Sequence, residues 1–130
     1  MILVDTHVVV WLAGAPEKLS RRAVLAIEQA RRDAGGLAIS GFTLFELAHL
    51  VVRKRIRVDS SLESFLEEVE SHFVVLPING RIAARAMQLP QAYPSDPIDR
   101  IIGATALIEG LSLVTADEQI QRSRAVKTIW

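Results

Sequence analysis

Five short apolar runs punctuate this chain of 130 residues: Ile2–Val4, Leu37–Ile39, then "FVVLPI", "LSLVT" and the closing "VKTIW". Helical sequence separates them. Strands that are apolar almost throughout, joined by helices rather than tight turns, pair in parallel and are covered on both faces. The expected architecture is therefore α/β: a three-layer fold with a short parallel sheet of about five strands and helices on either side.

The intervening segments carry their own start and stop signals. A first helix is expected from about Thr6 to Ala13. In "LSRRAVLAIEQARRDAGG", Ser20 is an N-cap, Leu19 and Val24 form a hydrophobic staple, and Gly35-Gly36 should end the helix. "SGFTLFELAHLVVRKR" places Leu44, Leu47, Ala48 and Val51 at helical spacing, and "SSLESFLEEVE" does the same with Leu62, Phe65, Leu66 and Val69. Asn79 caps a helix reaching about Met87. After a loop with Pro90 and Pro94, "DPIDRIIGATALIEG" has Pro97 at its first helical position and Gly110 past its end. "ADEQIQRS" is a short helix before the last strand.

Composition narrows the function. Fifteen Lys and Arg balance fifteen Asp and Glu, so wholesale electrostatic capture of nucleic acid is excluded while a local basic patch is not. With no cysteine, disulfides, thiolate metal sites and thiol nucleophiles are excluded together, and a reducing cytoplasm is the expected compartment. No basic segment precedes the apolar N-terminus and no A-x-A site follows it, which argues against a signal peptide. The same run is shorter than the roughly 20 residues of a membrane span, and Asp5 and His7 interrupt it. A soluble protein with one domain over residues 1–130 is expected.

Asp5 is out of place in "MILVDTHVVVWL", because an ionised carboxylate in an apolar interior costs several kcal/mol unless it is compensated. It directly follows the first strand. Glu46 lies in the first turns of the helix after the second strand, Asp96 and Asp99 open the helix before the fourth, and Asp117 follows that strand's end. In an open parallel sheet the carboxyl ends of the strands form the ligand crevice, so Asp5, Glu46 and Asp117 belong on that edge. Taken singly, each acid has a structural explanation. Thr43-Leu-Phe-Glu46 fits a capping box, Asp96 before Pro97 is an N-cap, Asp99 suits the helix dipole, and Asp117 is able to cap the next helix. Taken together, crowded carboxylates repel one another, and without a cation at least one must be protonated.

All-oxygen donors suit Mg²⁺ or Mn²⁺, and no His-x-x-x-His or cysteine cluster points to zinc. His49 and His72 read as surface or partly packed residues, and His7 is a neighbour of Asp5. Such an ion lowers the pKa of a bound water and neutralises a phosphodiester during in-line displacement. The chain has neither G-x-S-x-G nor a P-loop. An aspartyl-phosphate phosphatase needs a second Asp two residues after Asp5, where His7 stands. A receiver domain needs an Asp ending the third strand, and "VVLPING" has none.

On these segments the chain resembles the PIN-domain ribonucleases, and within them the VapC-like toxins of bacterial and archaeal toxin–antitoxin pairs. "ILVDTHVVVWL", "ISGFTLFELAHL", "DPIDRIIGATALIEGLSLVTAD" and "VKTIW" carry the resemblance, the third most specifically. It implies that Asp5, Glu46, Asp99 and Asp117 are the catalytic, metal-binding acids, with Asp96 a neighbouring ligand or helix cap. It also implies that Thr6 positions the first carboxylate or a water, and that Thr115 does similar work beside Asp117. Ser40 caps the Glu46 helix. Gly103 stands where alanine is commoner, and Ala116 where arginine is frequent.

The implied activity is Mg²⁺- or Mn²⁺-dependent endoribonuclease action on RNA, in a homodimer paired with a cognate antitoxin. Arg53, Lys54, Arg55, Arg57 and Arg100 are candidate contacts for RNA or antitoxin, against the plain reading that a basic cluster compensates a helix C-terminus. Trp11 is read as core, or as part of a patch for an antitoxin helix. The other readings are a PIN nuclease of RNA processing or DNA structures without a toxin role, and a catalytically silent metal-binding module.

Overall fold

The computed structural model describes Met1–Trp130. Strand β1 (Ile2–Val4) leads into helix α1 (Thr6–Gly14), a 3-10 turn at Pro16–Lys18 and helix α2 (Arg21–Arg32). Strand β2 (Leu37–Ser40) precedes α3 (Gly41–Val52) and α4 (Leu62–His72), and β3 (Val74–Leu76) precedes α5 (Gly80–Gln88) and α6 (Pro97–Glu109). Strand β4 (Leu113–Val114), α7 (Glu118–Ser123) and β5 (Thr128–Ile129) complete the chain. No helix is long and apolar enough to cross a membrane.

The five strands form one parallel sheet in the order β3-β2-β1-β4-β5. The chain runs outward from β1 to β3, then returns to the other side of β1 for β4 and β5. The order thus reverses between β1 and β4, the place where an open α/β sheet leaves a crevice at its carboxyl edge.

Alternation along the strands divides the core. Val4, Leu37, Ile39 and Val114 join Val8, Ile27, Leu47 and Val69 on one face. Leu3, Ala38 and Leu113 join Tyr93, Ile102 and Ile120 on the other. A smaller cluster of Ile82, Ala86 and Ala104 joins α5 to α6. Buried Val8 and Val9 offset the poor helix propensity of the valine run in α1.

The helix starts follow their caps: Ser20, Ser40, Ser61, Asn79 and Asp96 each accept an N–H of the turn they open. Pro97 and left-handed Gly110 (φ 67°) bound α6. The expected end of α2 is corrected. The helix stops at Arg32 with Asp33 as its C-cap, ahead of the glycines. Gly36 (φ 65°) turns the chain into β2, and Gly35 lies under the N-terminus, where a Cβ would stand 2.6 Å from the Met1 nitrogen. Helix α3 ends at Val52, so the basic residues from Arg53 to Arg57 occupy the turn beyond it, with Lys54 at φ 58°.

Candidate active site

Asp5 caps α1 at the end of β1. Its Oδ1 accepts the Thr6 N–H at 2.8 Å and its Oδ2 accepts the Thr115 hydroxyl at 2.8 Å. At 3% exposure it is buried although it stands at the sheet's carboxyl edge. The cause is its seat between the first turn of α1 and the end of β4, where donors from both elements replace water. Thr115, directly after β4, is shared: its oxygen also accepts the Asp117 N–H at 3.1 Å. A hydroxyl has one proton to give and two lone pairs, so one side chain serves both acids. Asp117 in turn caps α7 by accepting the Ile120 N–H at 2.9 Å.

Glu46 is held from a different side. The Thr6 hydroxyl donates to its Oε1, and the Thr6 Oγ1 lies 3.0 Å from the Thr43 hydroxyl, which is left as the donor between the two threonines. Because Ser40 caps α3, Thr43 forms no capping box and Glu46 is free of the backbone. Burial raises the Glu46 pKa above 4.5; the Thr6 bond opposes this, and Asp5 and Asp96 add to it.

Asp96 caps α6, accepting the N–H groups of Ile98 (2.9 Å) and Asp99 (3.1 Å). Asp99 differs from the rest. Burial, then the charges of Asp5, Asp96, Glu46 and Asp117, push its carboxyl up to about 7. All five acids therefore share one electrostatic neighbourhood, although no three converge closely enough to wrap one ion directly. No lysine or arginine pairs with them. His7 Nδ1 lies 3.6 Å from Asp5 Oδ2, while Nε2 accepts the Ala116 N–H at 2.9 Å. An imidazole accepting at Nε2 carries its single proton on Nδ1 and brings no charge. Hard carboxylate oxygens without a protein cation are a donor set that fits Mg²⁺ or Mn²⁺, which retain waters to complete their shells.

The sequence did not show the supporting roles of two residues: Thr43, bonded to Thr6, and His7, which accepts the Ala116 N–H. Both contacts cross between distant segments, and the only local signal was the polarity of Thr43 and His7 beside apolar neighbours. Arg100 is reassigned. Its guanidinium donates to the carbonyls of Ala86 (3.3 Å), Leu89 (3.1 Å), Pro90 (3.3 Å) and Tyr93 (3.4 Å), which leaves it as a staple of the α5–α6 loop rather than a free phosphate contact. Arg53 and Arg55 are exposed and unpaired. Trp11 is half-buried, its ring centroid 5.0 Å from His7 and 5.9 Å from Trp130.

A PIN-domain family model matches residues 2–125. The chain is 37% identical over 131 residues to Ribonuclease VapC22 of Mycobacterium tuberculosis, covering 99% of this chain and 98% of the relative. Among solved structures, a toxin–antitoxin complex from Klebsiella pneumoniae is similar at 27% identity and TM-score 0.64, covering 90% of this chain and 87% of that one. VapBC2 from Rickettsia felis, solved with a fragment of promoter DNA, matches the fold at TM-score 0.74 and 18% identity over 98% and 97% of the two chains. The crevice of acids thus sits in a chain that belongs to the PIN-domain family, in its VapC ribonuclease branch.

Proposed function

We propose that this chain, as one PIN domain over residues 1–130, is a Mg²⁺- or Mn²⁺-dependent endoribonuclease and the toxin of a VapBC-type pair in the cytoplasm. One observation carries the metal dependence. Five acids share one electrostatic neighbourhood with no lysine or arginine paired to any of them, and burial together with their mutual repulsion raises the Asp99 carboxyl well above the ordinary range. Asp5, Glu46, Asp99 and Asp117 would hold the ion in part through intervening waters, with Asp96 beside them as the helix cap.

When bound, a divalent cation supplies neutralisation of phosphodiester charge and acidification of water. The chain's own part is preorganisation. The Thr6 N–H and Thr115 hydroxyl fix both oxygens of Asp5, and the Thr6 hydroxyl fixes Glu46. The α7 cap holds Asp117. In the hydrolysis, a water oxygen bonds to phosphorus, the ester bond to the leaving ribose oxygen breaks, and that oxygen takes up a proton.

Two exposed surfaces support the partners. Phe45, Val52 and Met87 expose apolar area on α3 and α5, and a cleft lined by Phe42, Phe45 and Ile78 adjoins one lined by Ile78, Ala86 and Met87; this apolar face supports pairing with a second copy of the chain. A groove lined by Val10, Trp11, Ile56 and Phe65 fits an apolar antitoxin segment.

The test is cleavage of a fluorogenic RNA by purified, partner-free protein with Mg²⁺ or Mn²⁺, with EDTA, and with Asp5→Asn and Asp99→Asn. Metal-dependent cleavage lost in both variants supports the nuclease. Cleavage that survives chelation sinks the metal mechanism, and tight Mn²⁺ binding without cleavage of any RNA offered favours the silent module.

A further inference from the structure

Tyr93 is a core aromatic by its spacing, yet its polar end has a specific partner. The side chain is 1% exposed, and its hydroxyl donates to the main-chain carbonyl of Asp99 at 2.8 Å. That carbonyl lies in the first turn of α6, on the residue whose carboxyl no hydrogen bond within the protein engages. The Tyr93 hydroxyl also feels the charges of Asp5, Asp99 and Asp117, which places this end of the ring on the acidic side of the core.

The ring reaches that carbonyl because position 103 is glycine. A Cβ built there would stand 2.3 Å from the Tyr93 oxygen, 2.6 Å from Cζ and 3.1 Å from Cε2. Nothing else about Gly103 calls for glycine. It lies inside α6 between Ile102 and Ala104, where its backbone is helical and alanine would be the more stable choice. The glycine is a socket for the phenol. Neighbouring Arg100 reinforces the same seat by donating to the Tyr93 carbonyl and to three others at the end of α5 and in the loop after it.

We propose that Tyr93, seated in the socket of Gly103, is a positioning residue that fixes Asp99 in the metal-binding crevice through the Asp99 carbonyl. The inference rests on the reading of Asp99 as a metal-binding acid. A carboxylate with no hydrogen bond of its own depends on its backbone for its place; the Asp96 cap holds the Asp99 N–H and Tyr93 holds its carbonyl, so Tyr93 shares in setting where the carboxylate meets the cation. Residues that orient ligands in this way contribute to affinity and rate without touching substrate.

The experiment compares wild type with Tyr93→Phe, Gly103→Ala, the double variant Tyr93→Leu/Gly103→Ala, and Asp99→Asn. For each, the Mn²⁺ affinity of the substrate-free full chain is measured by calorimetry, together with kcat and KM on RNA and the thermal midpoint. Tyr93→Phe is expected to weaken Mn²⁺ binding and lower kcat by about tenfold each, with KM little changed and the fold intact. Gly103→Ala is expected to do the same by displacing the ring. The double variant relieves the clash without restoring a hydroxyl, so it is expected to recover thermal stability relative to Gly103→Ala but not Mn²⁺ affinity.

If Tyr93→Phe keeps wild-type affinity and kcat while Asp99→Asn loses both, the positioning role is overturned alone. It is equally overturned if the double variant regains affinity together with stability, since packing would then explain everything. If Asp99→Asn itself binds Mn²⁺ like wild type, the underlying reading of the crevice fails and this inference fails with it.

Discussion

Asp5 and Asp99 are the same residue type on one crevice, and they are treated in opposite ways. Asp5 is buried to 3% exposure and receives an N–H and a hydroxyl, one on each oxygen. Asp99 is half-buried, and no hydrogen bond within the protein engages its carboxyl; burial and its acidic neighbours push it up to about 7. The more deeply buried acid is the better satisfied one. Burial is costly to a carboxylate only in proportion to the water it loses without replacement. The β1–β4 side of the crevice is thus finished by the protein itself, whereas on the α6 side the Asp99 carboxyl is left to the repulsion of its neighbours.

The largest test of that contrast removes either acid. Asp5→Asn and Asp99→Asn are each expected to lower metal-dependent RNA cleavage by about 100-fold or more, at the upper end of what loss of a metal-site contact brings. A variant of Asp99 that still cleaves would break the comparison, since only the finished side would then matter.

The next effect is on stability and confined to the finished side. Thr115→Val leaves Asp5 Oδ2 buried without its donor and the Asp117 N–H without its acceptor. A loss of about 1–3 kcal/mol in urea unfolding is expected. Removing Asp99's charge should do the reverse in the metal-free protein, and only at higher pH. Its folded-state pKa lies above the ordinary 3.8, so folding favours the protonated form. That contribution is present below about pH 4 and is lost as pH rises through about 7. Asp99→Asn, which cannot ionise, is therefore expected to gain in melting temperature relative to wild type between pH 5 and pH 8, and Mn²⁺ should shrink the gap. A gap that stays flat with pH would mean that Asp99 is not strained by its neighbours.

The smallest effect belongs to the basic turn. Arg53→Gln with Arg55→Gln is expected to leave stability within about 0.5 kcal/mol, as exposed substitutions do, while weakening whichever of RNA or antitoxin binding uses that turn. If neither binding assay changes, the turn has no part in recognition and the contrast stays confined to the acids.

Much of this was legible in the order of residues alone. Short apolar runs between capped helices lead to a parallel sheet, and the carboxyl ends of β1 and β4 then bring Asp5 and Asp117 to one edge without knowledge of any contact. Pro97 and Gly110 bounded α6 as their chemistry requires. What escaped depended on partners far along the chain. The burial of Asp5 needs Thr115, the role of Thr6 needs Glu46 and Thr43, and the four carbonyls around Arg100 come from the preceding helix and loop. Local signals also misled where two explanations competed. Gly35-Gly36 suggested a helix end, but one glycine serves a turn and the other the close approach of Met1. Thr43 and Glu46 match a capping box, but Ser40 had already taken that place.

The contact between Thr115 and Asp5 spans 110 positions, and β4, late in the chain, pairs directly with β1, the earliest strand. Contacts of such separation form only after a long loop has closed. During synthesis, a nascent chain that has not yet delivered residue 115 holds Asp5 without its second donor and has no β4, Asp117 or reversal point in its sheet. The crevice is therefore assembled among the last features of the fold. A chain cut off before β4 carries Asp5, Glu46 and Asp99 but lacks Asp117 and the Thr115 donor, so the order of the strands withholds the complete set of acids until the chain is nearly finished.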